Sequence, residues 1–416
     1  MILVRSRRLL LNGSKLLAIL LFFCFITSCS KIFGPRPPKE VPPPVEKPVE
    51  PEEPEKEEVE KPVEAPVNNI ALLLPFQLDR VQGQPSVEDV KRAEIPLDFY
   101  QGFKMALDKL AEKGTNFRLT VLDTRDNVNQ NQAIGKSLAI QSADLVIGPI
   151  FPKEIPAFAA ASDLGYTLQV SPLAATLPSQ FNVNNLVSLV PSIDQHAAGL
   201  AVHLAKVVKG GDQVIVYNTE DEESLKFLGP LKVDLNKQAI GFTEIDDLAD
   251  VDSLLHAEGK NFFITAAINR YAIMPILTKL MTLKDEGGFT IQLIGHPTWS
   301  KLSLDNMNVA LKALHTQITT SYYVDADNDK VREFQKNYYS MYKIEPSEFA
   351  YKGYDSGYFF GQLLEEYGSE YPDFLLKKNY KGLQTDYIFE KNPNWGYVNE
   401  FIRMLQFDGY HYKPIR

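Results

Sequence analysis

Cysteine is nearly absent from this 416-residue chain, and none occurs beyond the first thirty residues. The two that are present, Cys24 and Cys29, cannot cross-link the remainder of the chain. A small disulfide-stabilised scaffold is therefore excluded, and so is a metal centre built from cysteine pairs. The folded part must be stabilised by an apolar core, and the roughly 350 residues after residue 66 are enough for two lobes.

Positive charge is also scarce. The chain has 43 Lys and Arg against 53 Asp and Glu, a formal net charge of −10. Four of the basic residues fall within residues 1–28, so the remainder carries a net charge of about −14. A protein that binds nucleic acid normally presents a basic surface, so nucleic acid is not an expected partner.

Motifs that carry catalysis are missing from the sequence. It contains no Gly-x-Ser-x-Gly elbow, no His-Glu-x-x-His and no glycine-rich phosphate loop. The segment Asp325–Asp329 opens like a calcium loop, but Lys330 stands where the turn needs glycine and Lys336 where a bidentate glutamate is required. The sequence therefore predicts a protein that is not an enzyme and has neither a cofactor nor a metal site.

An apolar run from Leu16 to Cys29 is the most informative local feature. It follows four basic residues, is too short to remain as a membrane-spanning helix, and ends in Ile26-Thr-Ser-Cys29. This ending resembles the lipobox of bacterial lipoproteins. The resemblance implies that residues 1–28 are a signal peptide and that Cys29 is the diacylated membrane anchor. The alternative is an ordinary secretory signal with a chance cysteine.

The segment 29–67 that follows is predicted to be a disordered tether. Within it, residues 35–66 contain ten glutamates against five basic residues, many prolines, and neither an aromatic residue nor a glycine. Such a composition cannot bury a core, and proline with charge repulsion favours an extended chain. At ~3.1 Å per residue it could reach on the order of 100 Å. The alternative is a ligand for a proline-recognition domain.

The remaining sequence alternates between strand and helix patterns, and the alternation restarts after Pro191. Continuous apolar runs such as Ile70–Leu74 are typical of strands buried on both faces of a parallel sheet. Two successive sets of βαβ units predict an α/β fold with two lobes and a cleft between them. The predicted strands are 70–74, 117–123, 144–148 and 167–170, then 213–217, 239–245, 262–265 and 290–294; the predicted helices include 130–140, 194–208, 224–235, 251–258, 271–283, 330–341 and 353–367.

Three segments carry a family resemblance: Asp144–Pro149, Ser171–Ala175 and Tyr354-Asp355. With the order of elements, they resemble the type I periplasmic binding proteins, the leucine-binding class. Penicillin-binding protein activators, which are outer-membrane lipoproteins, share that class. The resemblance implies a periplasmic binding protein-like I domain over residues 68–416, with two flavodoxin-like lobes and parallel sheets. Three crossovers would join the lobes, near 191–194, 295–300 and 384–388, giving lobe 1 as 68–192 with 300–384 and lobe 2 as 193–299 with 385–416.

The resemblance also implies a ligand site between the lobes. In the amino-acid binders, groups after the third and fourth strands hold the carboxylate, an aspartate at the first crossover takes the ammonium, and an acidic residue completes the clamp. Ser171, Ala174 and Asp194 match the first two features. The turn with His296 and Trp299 replaces the acidic clamp, and residues 148–152 offer no hydroxyl. The predicted ligand-binding set is therefore Ser171, Ala174, Asp194, His296 and Trp299, for a small polar solute other than a free α-amino acid.

Each of these residues has a structural alternative. Asp194 could cap the helix that begins there, and Ser171 could form the turn before Pro172. Trp299 could pack under a crossover, because an indole is first of all a large apolar group. His296 could be a hydrogen-bonded loop residue.

Two functions follow from these features. The first is a lipid-anchored envelope protein that faces the periplasm, with the outer membrane as the expected membrane; it would bind a small solute and work with a transporter permease. The second is a scaffold that activates a peptidoglycan synthase, for which the long tether would supply reach. The fold alone does not separate them.

Overall fold

The computed structural model describes the backbone of residues 2–4 and all of residues 66–415 except the side chain of Asp305. The predicted signal peptide, Cys29 and the tether therefore lie outside the described residues, apart from positions 2–4 and 66–67. No helix within the described part is long and apolar enough to cross a membrane.

Seventeen strands and twelve α-helices make up the described part of the chain. The strands are β1 (Ile2–Val4), β2 (Val67–Leu74), β3 (Asn116–Asp123), β4 (Leu145–Ile147), β5 (Gln169–Ser171), β6 (Leu186–Ser188), β7 (Gln213–Tyr217), β8 (Thr243–Ile245), β9 (Asn261–Thr265), β10 (Ile291–Ile294), β11 (Gln317–Thr320), β12 (Tyr380–Lys381), β13 (Asp386–Tyr387), β14 (Phe389–Asn392), β15 (Gly396–Asn399), β16 (Arg403–Phe407) and β17 (Tyr412–Pro414). The helices are α1 (Val87–Arg92), α2 (Glu94–Ala111), α3 (Val128–Gly135), α4 (Leu138–Gln141), α5 (Glu154–Ala161), α6 (Pro178–Phe181), α7 (Ile193–Val207), α8 (Glu222–Lys237), α9 (Arg270–Gly287), α10 (Asn308–Ala313), α11 (Asp329–Tyr342) and α12 (Glu348–Tyr367).

Two sheets form the two lobes. The first has the order β1-β3-β2-β4-β5-β6-β15-β14, and the second has the order β17-β16-β11-β10-β9-β7-β8. The central pairs of both sheets are parallel, whereas the pairs at β1, β14, β16 and β17 are antiparallel. β12 and β13 form a separate hairpin. This architecture confirms the predicted α/β fold with two lobes whose sheets are mainly parallel.

The first lobe is built on a strand that is apolar on both faces. Residues Ile70–Leu74 of β2 are buried between β3 and β4, which both run parallel to it. Helices cover both faces, so this strand reads as a continuous apolar run, as parallel strands do. On one face α2 packs against α12 at close range, because Gly102 and Gly353 lie at the crossing. A Cβ at Gly102 would overlap the carbonyl oxygen of Ala350.

The chain passes between the sheets three times: after β6, between β11 and β12, and between β15 and β16. The first crossover agrees with the predicted position, but the second and third do not. β11 pairs with β10 and β16, so residues 300–320 belong to the second lobe. β15 pairs with β6, so residues 386–399 belong to the first lobe. The predicted lobe boundaries at 300 and 384 are therefore wrong.

These boundaries were mispredicted for a physical reason. β11 reads Gln-Ile-Thr-Thr, which has one strongly apolar residue and no clear strand signal, although all four residues are buried. The predicted helix 251–258 is replaced by a 3₁₀ helix, Leu248–Ser253, and the predicted helix 130–140 is interrupted between α3 and α4. Short elements of this kind are held by their neighbours and not by their own propensity.

Candidate functional site

A cavity of about 490 Å³ lies where the chain makes its second crossover, Ser321–Val324. Its volume is in the range of sites that hold small molecules. Both lobes contribute to its wall, together with the crossover itself. Its polar and aromatic lining includes Ser300, Thr320, Tyr322, Glu348, Tyr351 and Gln384.

The crossover is held in place by side chains of both lobes. At the end of β11, the Thr320 hydroxyl donates to the carbonyl of Tyr322 at 2.9 Å and turns the chain out of the sheet. The N–H of Tyr323 donates to the carbonyl of Gln384 at 2.7 Å. The Thr385 hydroxyl donates to the carbonyl of Ser321 at 2.6 Å. The cavity wall at the crossover is therefore fixed to the turn between β12 and β13.

That turn is organised by Asp355, which lies in α12 and is fully buried. Its carboxylate accepts the N–H groups of Leu383, Gln384 and Thr385 at 2.7, 3.0 and 3.2 Å and the hydroxyl of Tyr380 at 3.3 Å. Burial raises the pKa of Asp355 to about 6, and the hydrogen bonds oppose that rise. A carboxylate in helix α12 thus positions Gln384 at the cavity.

A charged cluster bridges the lobes beside the cavity. Lys301, at the end of the 3₁₀ helix Pro297–Lys301 in the second lobe, pairs with Glu348 of the first lobe at 3.1 Å. Lys352, one turn further along α12, approaches the same carboxylate at 3.5 Å. Both ammonium groups also lie 5.4 Å from the ring centroid of Tyr322. Two cations, one carboxylate and one aromatic ring therefore meet at the crossover.

Burial decides the electrostatics of this cluster. The side chain of Lys352 is 16% exposed, that of Glu348 is 29% exposed, and that of Lys301 is 57% exposed. Burial lowers the pKa of Lys352; the negative charge of Glu348 opposes this shift, and the positive charge of Lys301 adds to it. Burial disfavours the charged form of Glu348, but the two lysines hold the pKa of Glu348 below its usual value. The carboxylate is thus fully ionised at neutral pH.

The predicted residues of the fourth strand lie elsewhere. Ser171 ends β5 and is fully buried, and Ala174 is buried in the turn that follows. Ser171 is in register with Ser188 at the end of β6. Both hydroxyls are buried without a hydrogen-bond partner among the described residues. Neither Ser171 nor Ala174 lines the cavity at the second crossover.

Asp194 lies in the first turn of α7, at the first crossover. It does not cap this helix, because the capping residue is Ser192, whose N–H donates to the side chain of Gln195 at 2.9 Å. Asp194 is half-buried, and burial with the charge of Asp234 raises its pKa. The alternative that Asp194 is the helix cap is therefore wrong.

His296 and Trp299 pack into the second lobe. His296 accepts the N–H of Thr298 and lies edge-on to Phe227, and its burial lowers its pKa to about 4. Trp299 is 1% exposed, and its indole N–H donates to the carbonyl of Ala267 at 2.7 Å. Trp299 borders the cavity, but it is almost fully buried, as the alternative of packing under a crossover predicts.

Ligand contact by Ser171, Ala174, Asp194 and His296 stays a prediction. The structure places Trp299 beside the cavity at the second crossover, but it brings none of the other four there. The residues found at that cavity were missed because the second crossover was predicted some twenty residues too early. The one available signal was the spacing of Glu348 and Lys352, which lie four residues apart just before the predicted helix 353–367.

The acidic segment before α11 has a structural role. Asn328 caps this helix by accepting the N–H of Lys330, and Asp325 accepts the N–H of Asp327 at 3.0 Å. Within residues 66–415 no group of three or more His, Cys, Asp or Glu side chains could hold a metal ion.

Comparison with known proteins shows the fold. No protein-family profile matches the chain, and no curated protein matches it. Its architecture is similar to that of type I periplasmic binding proteins. A Rhodospirillum rubrum protein assigned to branched-chain amino acid ABC transport superposes with a TM-score of 0.62 at 16% identity, covering 84% of this chain and 100% of that one.

Two further structures give the same result. A branched-chain amino acid ABC transporter protein from Rhodopseudomonas palustris has a TM-score of 0.57 at 14% identity, covering 83% of this chain and 95% of that one. An ABC transporter substrate-binding protein from Desulfitobacterium hafniense, in complex with Leu, has a TM-score of 0.50 at 16% identity, covering 84% and 100%. The chain therefore has the periplasmic binding protein-like I fold.

Proposed function

We propose that this protein binds a small solute between its two lobes and catalyses no reaction on it. The observation that carries the proposal is the cavity of about 490 Å³ at the second crossover, because Ser300 of one lobe and Glu348 of the other both line it. A ligand that touches both lobes stabilises their closed arrangement by its differential affinity for that state.

The surroundings of the cavity support a binding role. It has aromatic walls, such as Tyr351, and a few polar groups, such as Gln384, which is the composition of ligand pockets. The fold is also that of proteins described as substrate-binding components of ABC transporters. We therefore infer that the chain works as a solute receptor for a permease.

The N-terminal sequence supports a place in the cell envelope. The lipobox-like ending at Cys29 would anchor the protein by acylation, and the proline- and glutamate-rich segment would hold the lobes away from the membrane. We propose that the domain faces the periplasm.

A solute screen with two matched variants tests the binding role. Ser300→Phe should fill the cavity, whereas Ser253→Phe is the control. Both serines are exposed residues of 3₁₀ helices in the second lobe, and each hydroxyl donates to the carbonyl three residues earlier. A solute that raises the melting temperature of the wild type and of Ser253→Phe, but not that of Ser300→Phe, supports the proposal. A solute that binds all three equally contradicts this location.

An activator-like scaffold is the second candidate. The observation in its favour is the burial of Ser171 and Trp299, two of the residues expected at the ligand. This alternative predicts that no small solute binds and that a purified peptidoglycan synthase binds the domain directly. A solute hit abolished by Ser300→Phe would argue against it.

A further inference from the structure

A second cavity, of about 690 Å³, lies in the first lobe and shares no lining residue with the cavity at the second crossover. Its lining comes from helices α2, α11 and α12 and from β12 with the turn that follows it. Lys109 of α2 and Glu333 of α11 both line it and pair with each other at 3.0 Å, so the two helices are joined beside the cavity. Its volume is in the range of sites that hold small molecules.

Aromatic side chains form much of the wall of this second cavity. The rings of Tyr354 and Tyr358 stack with their centroids 5.8 Å apart and 13° between their planes, and the centroid of Phe334 lies 4.8 Å from that of Tyr354. Tyr380 is the fourth aromatic residue of the lining, and its remaining apolar residues are Met105, Met341 and Leu383. Such a wall fits a flat ring, because ring faces and methionine side chains offer apolar contact area.

Tyr354 adds an unused polar group to this wall. The residue is 8% exposed, yet its hydroxyl has no hydrogen-bond partner among the residues that the structure describes. The hydroxyls of the neighbouring tyrosines are engaged: that of Tyr380 donates to the carboxylate of Asp355 at 3.3 Å, and that of Tyr358 accepts from the ammonium group of Lys113 at 3.2 Å. Polar groups of buried residues normally have a partner, so the Tyr354 hydroxyl is available to a polar group of a ligand.

The charges around the second cavity cancel. Three acidic and three basic residues line it, namely Asp108, Glu112, Glu333, Lys109, Lys330 and Lys381. Asp108 is paired with Lys104 at 2.6 Å, and Glu333 is paired with Lys109. The other three are exposed to water. The lining therefore supplies no net charge to compensate an ion that leaves water for an aromatic wall.

We propose that the second cavity is a ligand site of its own, which takes an uncharged aromatic compound that carries a hydroxyl group. The ring would pack against Phe334 and the tyrosines, and the hydroxyl of the compound would bond that of Tyr354. This inference goes beyond the proposed function, because the site lies within one lobe. The turn after β12 lines this cavity with Leu383 and the cavity at the second crossover with Gln384, so a ligand here would contact a turn that both cavities share.

Probes with one ring system and different charge test this class. 2-Naphthol is uncharged at neutral pH, 2-naphthoate is an anion and 2-naphthylmethylammonium is a cation. Titration calorimetry at pH 7 should show binding of 2-naphthol and at least tenfold weaker binding of the two ions, because each ion would lose hydration without gaining a net opposite charge. Equal or tighter binding of either ion would overturn the class.

Substitutions in the wall locate the site. Asn337 is an exposed residue of α11 that lines the cavity, so Asn337→Trp should abolish the binding of 2-naphthol. Asn236→Trp is the control, at an exposed asparagine of α8 that does not line the cavity. Tyr354→Phe should weaken binding about three- to tenfold, because it removes one hydrogen bond. Tyr339→Phe, at an exposed tyrosine of α11 outside the lining, should leave the affinity unchanged.

The melting temperature of each variant shows whether it is folded, and Tyr354→Phe should keep that of the wild type because its hydroxyl has no partner to lose. The absence of 2-naphthol binding to the wild type, or an unchanged affinity in both Asn337→Trp and Tyr354→Phe, would overturn the inference. Loss of 2-naphthol binding in Ser300→Phe, with binding kept in Asn337→Trp, would place the probe in the cavity at the second crossover. That result would overturn the second site and leave the proposed function intact.

Discussion

The Asp355 carboxylate accepts the N–H of Leu383 at 2.7 Å, and through this turn a buried side chain of helix α12 fixes the crossover between the lobes. The next two N–H groups along the chain donate to the same carboxylate. The same turn is hydrogen-bonded to the crossover, because the Thr385 hydroxyl donates to the carbonyl of Ser321 and the Gln384 carbonyl accepts the N–H of Tyr323. The geometry of the cavity therefore depends on a carboxylate that does not touch it.

Asp355→Asn should destabilise the fold by about 2–4 kcal/mol. The two carboxylate oxygens accept three backbone N–H groups, whereas an amide has only one acceptor oxygen, so at least one of these buried N–H groups would lose its partner. Urea denaturation measures the change. Asp247→Asn is the control: Asp247 is an exposed cap that accepts a single N–H, from Ala249. We expect the control to change stability by less than about 0.5 kcal/mol. Equal losses in the two variants would contradict the role given to Asp355.

Gly102→Ala should cost about 1–3 kcal/mol, because the new Cβ would overlap the carbonyl oxygen of Ala350 where α2 meets α12. Gly241, in the segment before β8, is the control, since a Cβ there would meet nothing within 4 Å beyond its chain neighbours. Gly241→Ala should leave the stability unchanged or raise it by up to about 1 kcal/mol. Thermal unfolding of the two variants measures both effects. A Gly102→Ala variant as stable as the wild type would mean that the two helices are not in close contact.

Glu154→Gln should make stability less dependent on pH. Glu154 is fully buried at the start of α5 and accepts the amide of Asn131 at 2.8 Å and the hydroxyl of Thr124 at 3.4 Å. Burial raises its pKa to about 7, with a smaller effect from the charge of Asp126. Because the folded pKa is above the unfolded one, the contribution of Glu154 to stability is complete below about pH 4.5 and is lost as pH rises through 7.

The measurement is the melting temperature of the wild type minus that of Glu154→Gln, at a series of pH values. Glutamine keeps the shape and mimics the protonated carboxyl, so this difference isolates one group from the others that titrate. We expect it to become more negative between pH 5 and 8. A constant difference would mean that Glu154 does not change its protonation in this range.

Cys29→Ser should release the protein from the membrane fraction or leave its precursor uncleaved, because the thiol is the expected site of acylation. Fractionation and labelling with a radioactive fatty acid measure the two effects, and Cys24→Ser is the matched control. A Cys29→Ser protein that is cleaved and still sediments with membranes would contradict the lipoprotein prediction.

The sequence predicts those strands whose own residues carry a clear pattern. The run Ile70–Leu74 is apolar at every position, which is typical of an inner strand of a parallel sheet. β11, by contrast, reads Gln-Ile-Thr-Thr and becomes a strand because β10 and β16 flank it. Because β11 was not predicted, the second crossover was placed before this strand and not after it. The cavity at the observed crossover was missed for the same reason.

The candidate site was less predictable than the fold. Trp299 is predicted at the ligand because its turn replaces the acidic clamp of the amino-acid binders, but a hydrogen bond to the carbonyl of Ala267 holds the indole in the core. Lys301 and Glu348 are 47 residues apart, and only the packing of the two lobes brings them to 3.1 Å. A contact between residues so far apart cannot be predicted from local sequence patterns. The pair of Glu348 and Lys352 can be, because the two residues lie four positions apart in one helix.

Native mass spectrometry of the full chain, purified without denaturation, shows whether a solute occupies the cavity between the lobes. We expect the wild type and Ser253→Phe to carry the same small-molecule adduct and Ser300→Phe to have lost it, because Ser300 lines this cavity and Ser253 does not. The absence of any adduct from the wild type, or an identical adduct on Ser300→Phe, would contradict the claim that this cavity binds a solute.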